Sequence, residues 1–190
     1  MNQLSKILFL LVILCLQGCV AVAGGAAATG AAIAYDRRTS GTVIEDQSIE
    51  LKAGQLLRED TEISETSHYN VTSYNMVVLV TGETPTEETR ERIINIVKSI
   101  PKVTHVYNEL TIAAPSSLTS RSSDTLITSK VKTKLVALEN AEGTRVKVVT
   151  EKGVVYLMGL VNRDEADRVT EATRQVGGVQ KVVKLFQYID

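Results

Sequence analysis

The feature that most constrains this chain is that it states one pattern twice. Behind Asp46, the residues Ile49, Ala53 and Leu57 recur at every fourth position, and behind Asp124 the residues Ile127, Val131 and Leu135 do the same. That spacing lines apolar side chains along one face of a helix. Each aspartate stands where an N-cap belongs. Two strand signals follow in both copies, at residues 69–73 and 76–82 in the first and at 146–150 and 154–159 in the second. Glu151-Lys152-Gly153 between the second pair has the composition of a tight turn, so each pair is expected to form a β-hairpin. A second helix comes next. Thr84-Pro85-Thr86-Glu87 supplies a cap, a proline and a glutamate, and Asn162 with Glu165 does the same in the second copy. Ile93, Ile96, Val97 and Ile100 mark one buried face, and Val169, Ala172 and Val176 mark the other. Each copy ends in a strand, within residues 101–110 and 177–186.

The duplication predicts an α+β protein of two tandem αββαβ units. In each, a three-stranded mixed sheet is covered by two helices on one face, and the second helix forms a right-handed crossover. The first unit is assigned to residues 39–112 and the second to 124–190, with a Ser-rich linker at 113–123. Units of roughly 70 residues bury little core alone, so the two are expected to pack together.

Ahead of the repeats, Lys6 precedes ten apolar residues, 7–16, and the run ends in Leu16-Gln17-Gly18-Cys19. Charge, short apolar core and small residue in that order describe a secretory signal peptide over residues 1–18, since a bilayer span needs about 20 apolar residues. The Leu-x-Gly-Cys ending resembles the lipobox of bacterial lipoproteins, which implies that Cys19 becomes an acylated first residue. It would carry N-acyl (palmitate) and S-diacylglycerol lipid, ahead of an Ala/Gly-rich spacer at 19–38. Cys15 lies in the segment to be removed, so no disulfide is expected. Val20, where inner-membrane lipoproteins have aspartate, implies the outer membrane and its periplasmic face.

The repeats resemble the BON domain family. Leu157-Met158-Gly159 and Gly178-Val179-Gln180-Lys181-Val182 carry the likeness in the second copy. Val80-Thr81-Gly82 and residues 103–109 carry it in the first. The resemblance implies binding of anionic phospholipid through the second unit, support of outer-membrane integrity and a place at the division site.

Composition narrows the functions further. Tryptophan is absent, aromatics make up 4% of the chain and the formal net charge is −1, so no nucleic-acid partner is expected. His68 and His105 stand in different repeats and read as strand residues. With no metal-ligand spacing, phosphate loop or nucleophile elbow, the sequence is read as non-enzymatic, with no metal and no cofactor. Charge distinguishes the copies: residues 46–112 hold 6 Lys/Arg against 11 Asp/Glu, a net of −5, and residues 117–190 hold 12 against 9, a net of +3. On the first helix of the second unit, Leu126, Lys130 and Lys134 share one side by i, i+4, i+8 spacing. The expected phospholipid-contact set is these three with the adjoining Ile127 and Val131. A leucine beside lysines suits a lipid interface, although leucine lacks the interfacial preference of an indole. Two other readings stay open: a protein-binding adaptor for outer-membrane assembly or division machinery, and a small-ligand or ion-binding module with a pocket between the units. The oligomeric state is open as well.

Overall fold

A computed structural model describes residues 36–190. The signal segment, Cys19 and most of the spacer lie outside the described residues.

Helix α1 (Ser40–Glu59) starts at Thr39, whose Oγ1 accepts from the Thr42 N–H at 3.1 Å. A short helix α2 (Thr61–Thr66), capped by Asp60, follows without a sequence signal of its own, and a 3-10 segment takes its place in the second copy. Strands β1 (His68–Tyr74) and β2 (Val77–Thr84) form the antiparallel hairpin. Helix α3 (Glu87–Lys98) then leads to β3 (His105–Ile112), which pairs with β2 in parallel, giving the order β1-β2-β3. The second copy runs α4 (Leu118–Val136), a 3-10 segment (Glu139–Arg145), β4 (Val146–Glu151), β5 (Val154–Val161), α5 (Arg163–Arg174) and β6 (Lys181–Tyr188). Its sheet has the same order and senses.

Two local expectations need correction. Asp46 and Asp124 are not caps. Each helix begins about two turns earlier, and α4 starts inside the stretch read as linker, with Ser117 as its cap. Both aspartates are buried mid-helix and hold the tip of the hairpin. Asp46 accepts from the N–H groups of Asn75 and Met76 at 2.7 and 2.8 Å, and Asp124 from those of Lys152 and Gly153 at 2.9 and 2.8 Å. All four turn residues have positive φ, the geometry a two-residue hairpin loop demands. Its amides point where no strand can pair them, so a buried carboxylate does. The α3 cap is Thr86, whose Oγ1 takes the Thr89 N–H at 3.1 Å. Thr84 belongs to β2, because proline at 85 biases its predecessor toward extended backbone. The Asn162–Glu165 capping box forms as read.

Strand alternation then builds three cores. Val78 and Val80 face α1 and α3 with Ile49, Ala53, Leu57, Ile93 and Val97. Val148, Val155 and Leu157 face α4 and α5 with Ile127, Val131, Leu135 and Val169. The opposite faces of both sheets meet each other: Tyr74 and Leu79 pack with Val149, Tyr156, Met158 and Leu185. The described body is thus helices, sheet, sheet, helices, and this seam explains why strands such as 154–161 are apolar on both faces.

Candidate functional site

Two surfaces collect the sequence-predicted residues. The first is the outer side of α4. Leu126 is 61% exposed and Lys130 and Lys134 are exposed, whereas Ile127 is 8% and Val131 0% exposed, within the core. Ile127 and Val131 therefore drop out of the contact set, since a helix cannot offer the same residues to its core and to a membrane. Lys134 Nζ donates to Gln175 Oε1 at 3.3 Å, which sets that lysine beside the end of α5. Lys132, absent from the sequence-based set, is exposed on the other flank. The carboxylate of α4 is Asp124, and it is buried. The exposed charges of α4 are accordingly all lysines. Between them, Ser122, Ser123, Thr125, Ser129 and Thr133 each donate to the carbonyl four residues back, at 2.9 to 3.1 Å. Hydroxyls already bonded to their own helix lose less on leaving water.

The second surface is the seam between the sheets. Its charge pattern accounts for part of the sign difference between the repeats. Lys147 of β4 donates to Glu50 Oε1 at 2.7 Å, and Lys152 Nζ lies 2.7 Å from Glu83 Oε1. Lysines counted toward a membrane thus face the acidic repeat instead. One end of the seam is apolar. The other gathers ionisable groups, because alternation along β1, β2 and β4 sends His68, Thr81, Glu83 and Glu151 to this same side. His68 Nδ1 is 3.1 Å from Glu83 Oε2, which also accepts from the Ser116 N–H at 3.3 Å. Burial would push the Glu83 carboxyl up, but Lys152, the Ser116 amide and His68 outweigh it and hold it below the usual range. Glu151 is raised, by burial and then by the Glu83 charge. Thr81 Oγ1 is buried beside the Glu151 carboxyl, whose rise it opposes slightly, in a geometry too poor for a full hydrogen bond. Gly82 makes this crowding feasible: at φ +124° a Cβ there would stand 2.0 Å from the His68 carbonyl oxygen.

His68 was read from the sequence as an ordinary strand residue; the tertiary fold gives it two carboxylate neighbours. A groove of about 600 Å³ opens onto this end, walled by His68 and Asn70, by Lys147 and Glu151, and by Thr128 and Lys132 of α4. It is the concave space that a ligand-binding reading requires. His105 sits apart, edge-on to Tyr107 at 4.5 Å.

At the far end of the second unit, Arg37 reaches across from just before α1. It donates to both carboxylate oxygens of Glu165 at 2.6 and 2.8 Å and to the Leu160 carbonyl at 2.9 Å. Burial pushes the Glu165 carboxyl up, but Arg37, the Asn162 amide and Arg145 together hold it below the usual range.

Comparison with known proteins agrees with this architecture. The family described as BON domain matches residues 45–114 and 123–190. The chain is 35% identical to the outer membrane lipoprotein DolP of Haemophilus influenzae, over 100% of this chain and 99% of that protein. It is 35% identical to the 21 kDa hemolysin of Actinobacillus pleuropneumoniae, over 81% and 79% of the two chains. It is 30% identical to the osmotically-inducible protein Y of Escherichia coli, over 75% and 72%. The full-length likeness to a lipoprotein, joined to the leader, makes this chain an outer-membrane lipoprotein. Two family matches and an observed pair of αββαβ units agree with each other: the chain belongs to the BON domain family.

Proposed function

We propose that α4 is the surface with which this lipoprotein engages anionic phospholipid, while acylated Cys19 holds the body at the membrane. The observation that carries the reading is the charge of that helix: its carboxylate is buried under the hairpin and its exposed charges are lysines framing an exposed leucine. Each lysine near an anionic surface contributes about 1 kcal/mol, and the leucine roughly 1.5–3 kcal/mol if fully buried. Such a sum is weak from free solution. An anchor makes the encounter intramolecular, and weak contacts then suffice. The family resemblance extends this reading to support of outer-membrane integrity and to the division site.

The test is flotation of the unacylated chain with vesicles rich in anionic phospholipid. Lys130→Glu with Lys134→Glu should release it, and unchanged flotation would remove the site. A second reading has its own observation. On α1, Ile44 is 65% and Leu51 73% exposed, seven residues apart on one side and in the acidic repeat, which suits a protein partner in the envelope machinery. A crosslink to an envelope protein that survives the lysine changes but not Ile44→Ser with Leu51→Ser would favour it.

A further inference from the structure

We propose that the polar end of the seam binds one divalent transition-metal ion, zinc by its donor set, bridging the two repeats through His68, Glu83 and Glu151. The three donor atoms lie within 4.8 Å of one another. His68 and Glu83 come from the first repeat, Glu151 from the second, so the ion ties one sheet to the other. The 3.1 Å between His68 Nδ1 and Glu83 Oε2 already matches the edge of a tetrahedron whose metal bonds are about 2.0–2.2 Å. Glu151 then has to close by little more than an ångström or so, about the reach of a glutamate rotamer change.

A second observation points to a ligand independently of the acidic pair. Thr81 Oγ1 is fully buried and turned toward the Glu151 carboxyl, yet no hydrogen bond of good geometry satisfies it. A metal-bound water on the fourth position would give that hydroxyl its partner. One imidazole with two carboxylates suits zinc better than calcium or magnesium, which take oxygen donors alone. The groove supplies the entry path, and His68, with 23% of its side chain exposed, stands at its edge.

Lys152 gives the assignment its sharpest consequence. Its ammonium, 2.7 Å from Glu83 Oε1, occupies the same electrostatic niche, yet 40% of the side chain is exposed and free to swing out. Lysine and metal compete for one buried carboxylate. Removing the competitor should tighten metal binding, an effect no purely structural salt bridge would show.

The experiment is zinc titration of the full-length protein in detergent, read by competition with a chromogenic chelator and by thermal unfolding. One equivalent should bind and raise the unfolding temperature. His68→Gln and Glu151→Gln should each weaken binding at least about tenfold. Lys152→Met should strengthen it by about tenfold, the effect of removing one charge at this range. Lys130→Glu with Lys134→Glu should leave zinc affinity unchanged, which separates this site from the lipid-facing helix. Absence of saturable zinc binding, wild-type affinity in the His68 or Glu151 variants, or no gain in Lys152→Met would each overturn the proposal. Tighter binding of calcium or magnesium than of zinc would overturn the assigned donor chemistry.

Discussion

The two repeats share a skeleton and differ in what their first helices do with charge. Beneath each hairpin a buried aspartate serves the same turn, yet Asp46 has more partners than Asp124. It also accepts from Ser73 Oγ at 2.6 Å and pairs with Arg38 at 2.8 Å. On the outside the contrast reverses. Helix α1 mixes Glu45, Lys52, Arg58 and Glu59 with exposed Ile44 and Leu51, whereas α4 shows lysines, hydroxyls and Leu126. The lesson is that duplication preserved what the fold needs at the turn and left the solvent face free to diverge. One copy has a mixed, acidic exterior and the other a basic one.

The comparison is most easily broken at the aspartates. Asp46→Ala removes the Arg38 ion pair, the Ser73 hydrogen bond and the acceptor of two turn amides, and should cost about 3–5 kcal/mol. Asp124→Ala leaves the buried Gly153 amide and the half-buried Lys152 amide without their acceptor and should cost about 1–3 kcal/mol. Urea unfolding of the two variants checks the ranking; equal losses would mean that the additional partners of Asp46 contribute nothing. Next comes the seam. Leu79 is fully buried between the sheets, and Leu79→Ala should cost about 2–5 kcal/mol, with both repeats unfolding in one transition. Two separated transitions in wild type would show that the repeats are stable apart.

A smaller effect is expected at Glu165, which joins Arg37 to the second repeat. Its carboxyl is held below the ordinary range, so it stabilises the fold fully above the unfolded value of about 4.3. That contribution is lost as pH falls through the depressed folded value. Glu165→Gln should therefore lower stability at neutral pH and flatten the acid limb below about pH 4, measured as the unfolding midpoint against pH. The smallest effect on stability is expected on the outer face of α4. Lys130→Glu with Lys134→Glu should stay within about 0.5 kcal/mol of wild type while vesicle flotation falls. Leu126→Trp should be equally mild in unfolding and raise flotation, because an indole prefers the interface. A lysine variant that lost its vesicles only by unfolding would erase the distinction between the two outer faces.

Much of this was legible in the residues. Apolar patterning located four helices and six strands, because the helices bury one face and repeat with the helical period, while the central strands, buried on both faces, read as continuous apolar runs. Ile49, Ala53, Leu57, Ile127, Val131 and Leu135 line the cores as read. What failed were the helix starts. A buried aspartate and an N-cap aspartate look alike in sequence, since both are acids before an apolar stripe, and only the position of the hairpin tip separates them. The lysine stripe on α4 was readable from helical spacing, but that Lys147 and Lys152 face the other repeat was not.

The sequence by itself determined the duplicated αββαβ order, the inward faces of the helices and the lysines beside Leu126, because these follow from local periodicity. Only the tertiary structure decided that the sheets meet back to back and that His68, Glu83 and Glu151 converge. Those residues stand up to 83 positions apart, and no local pattern encodes which two sheet faces will exclude water together.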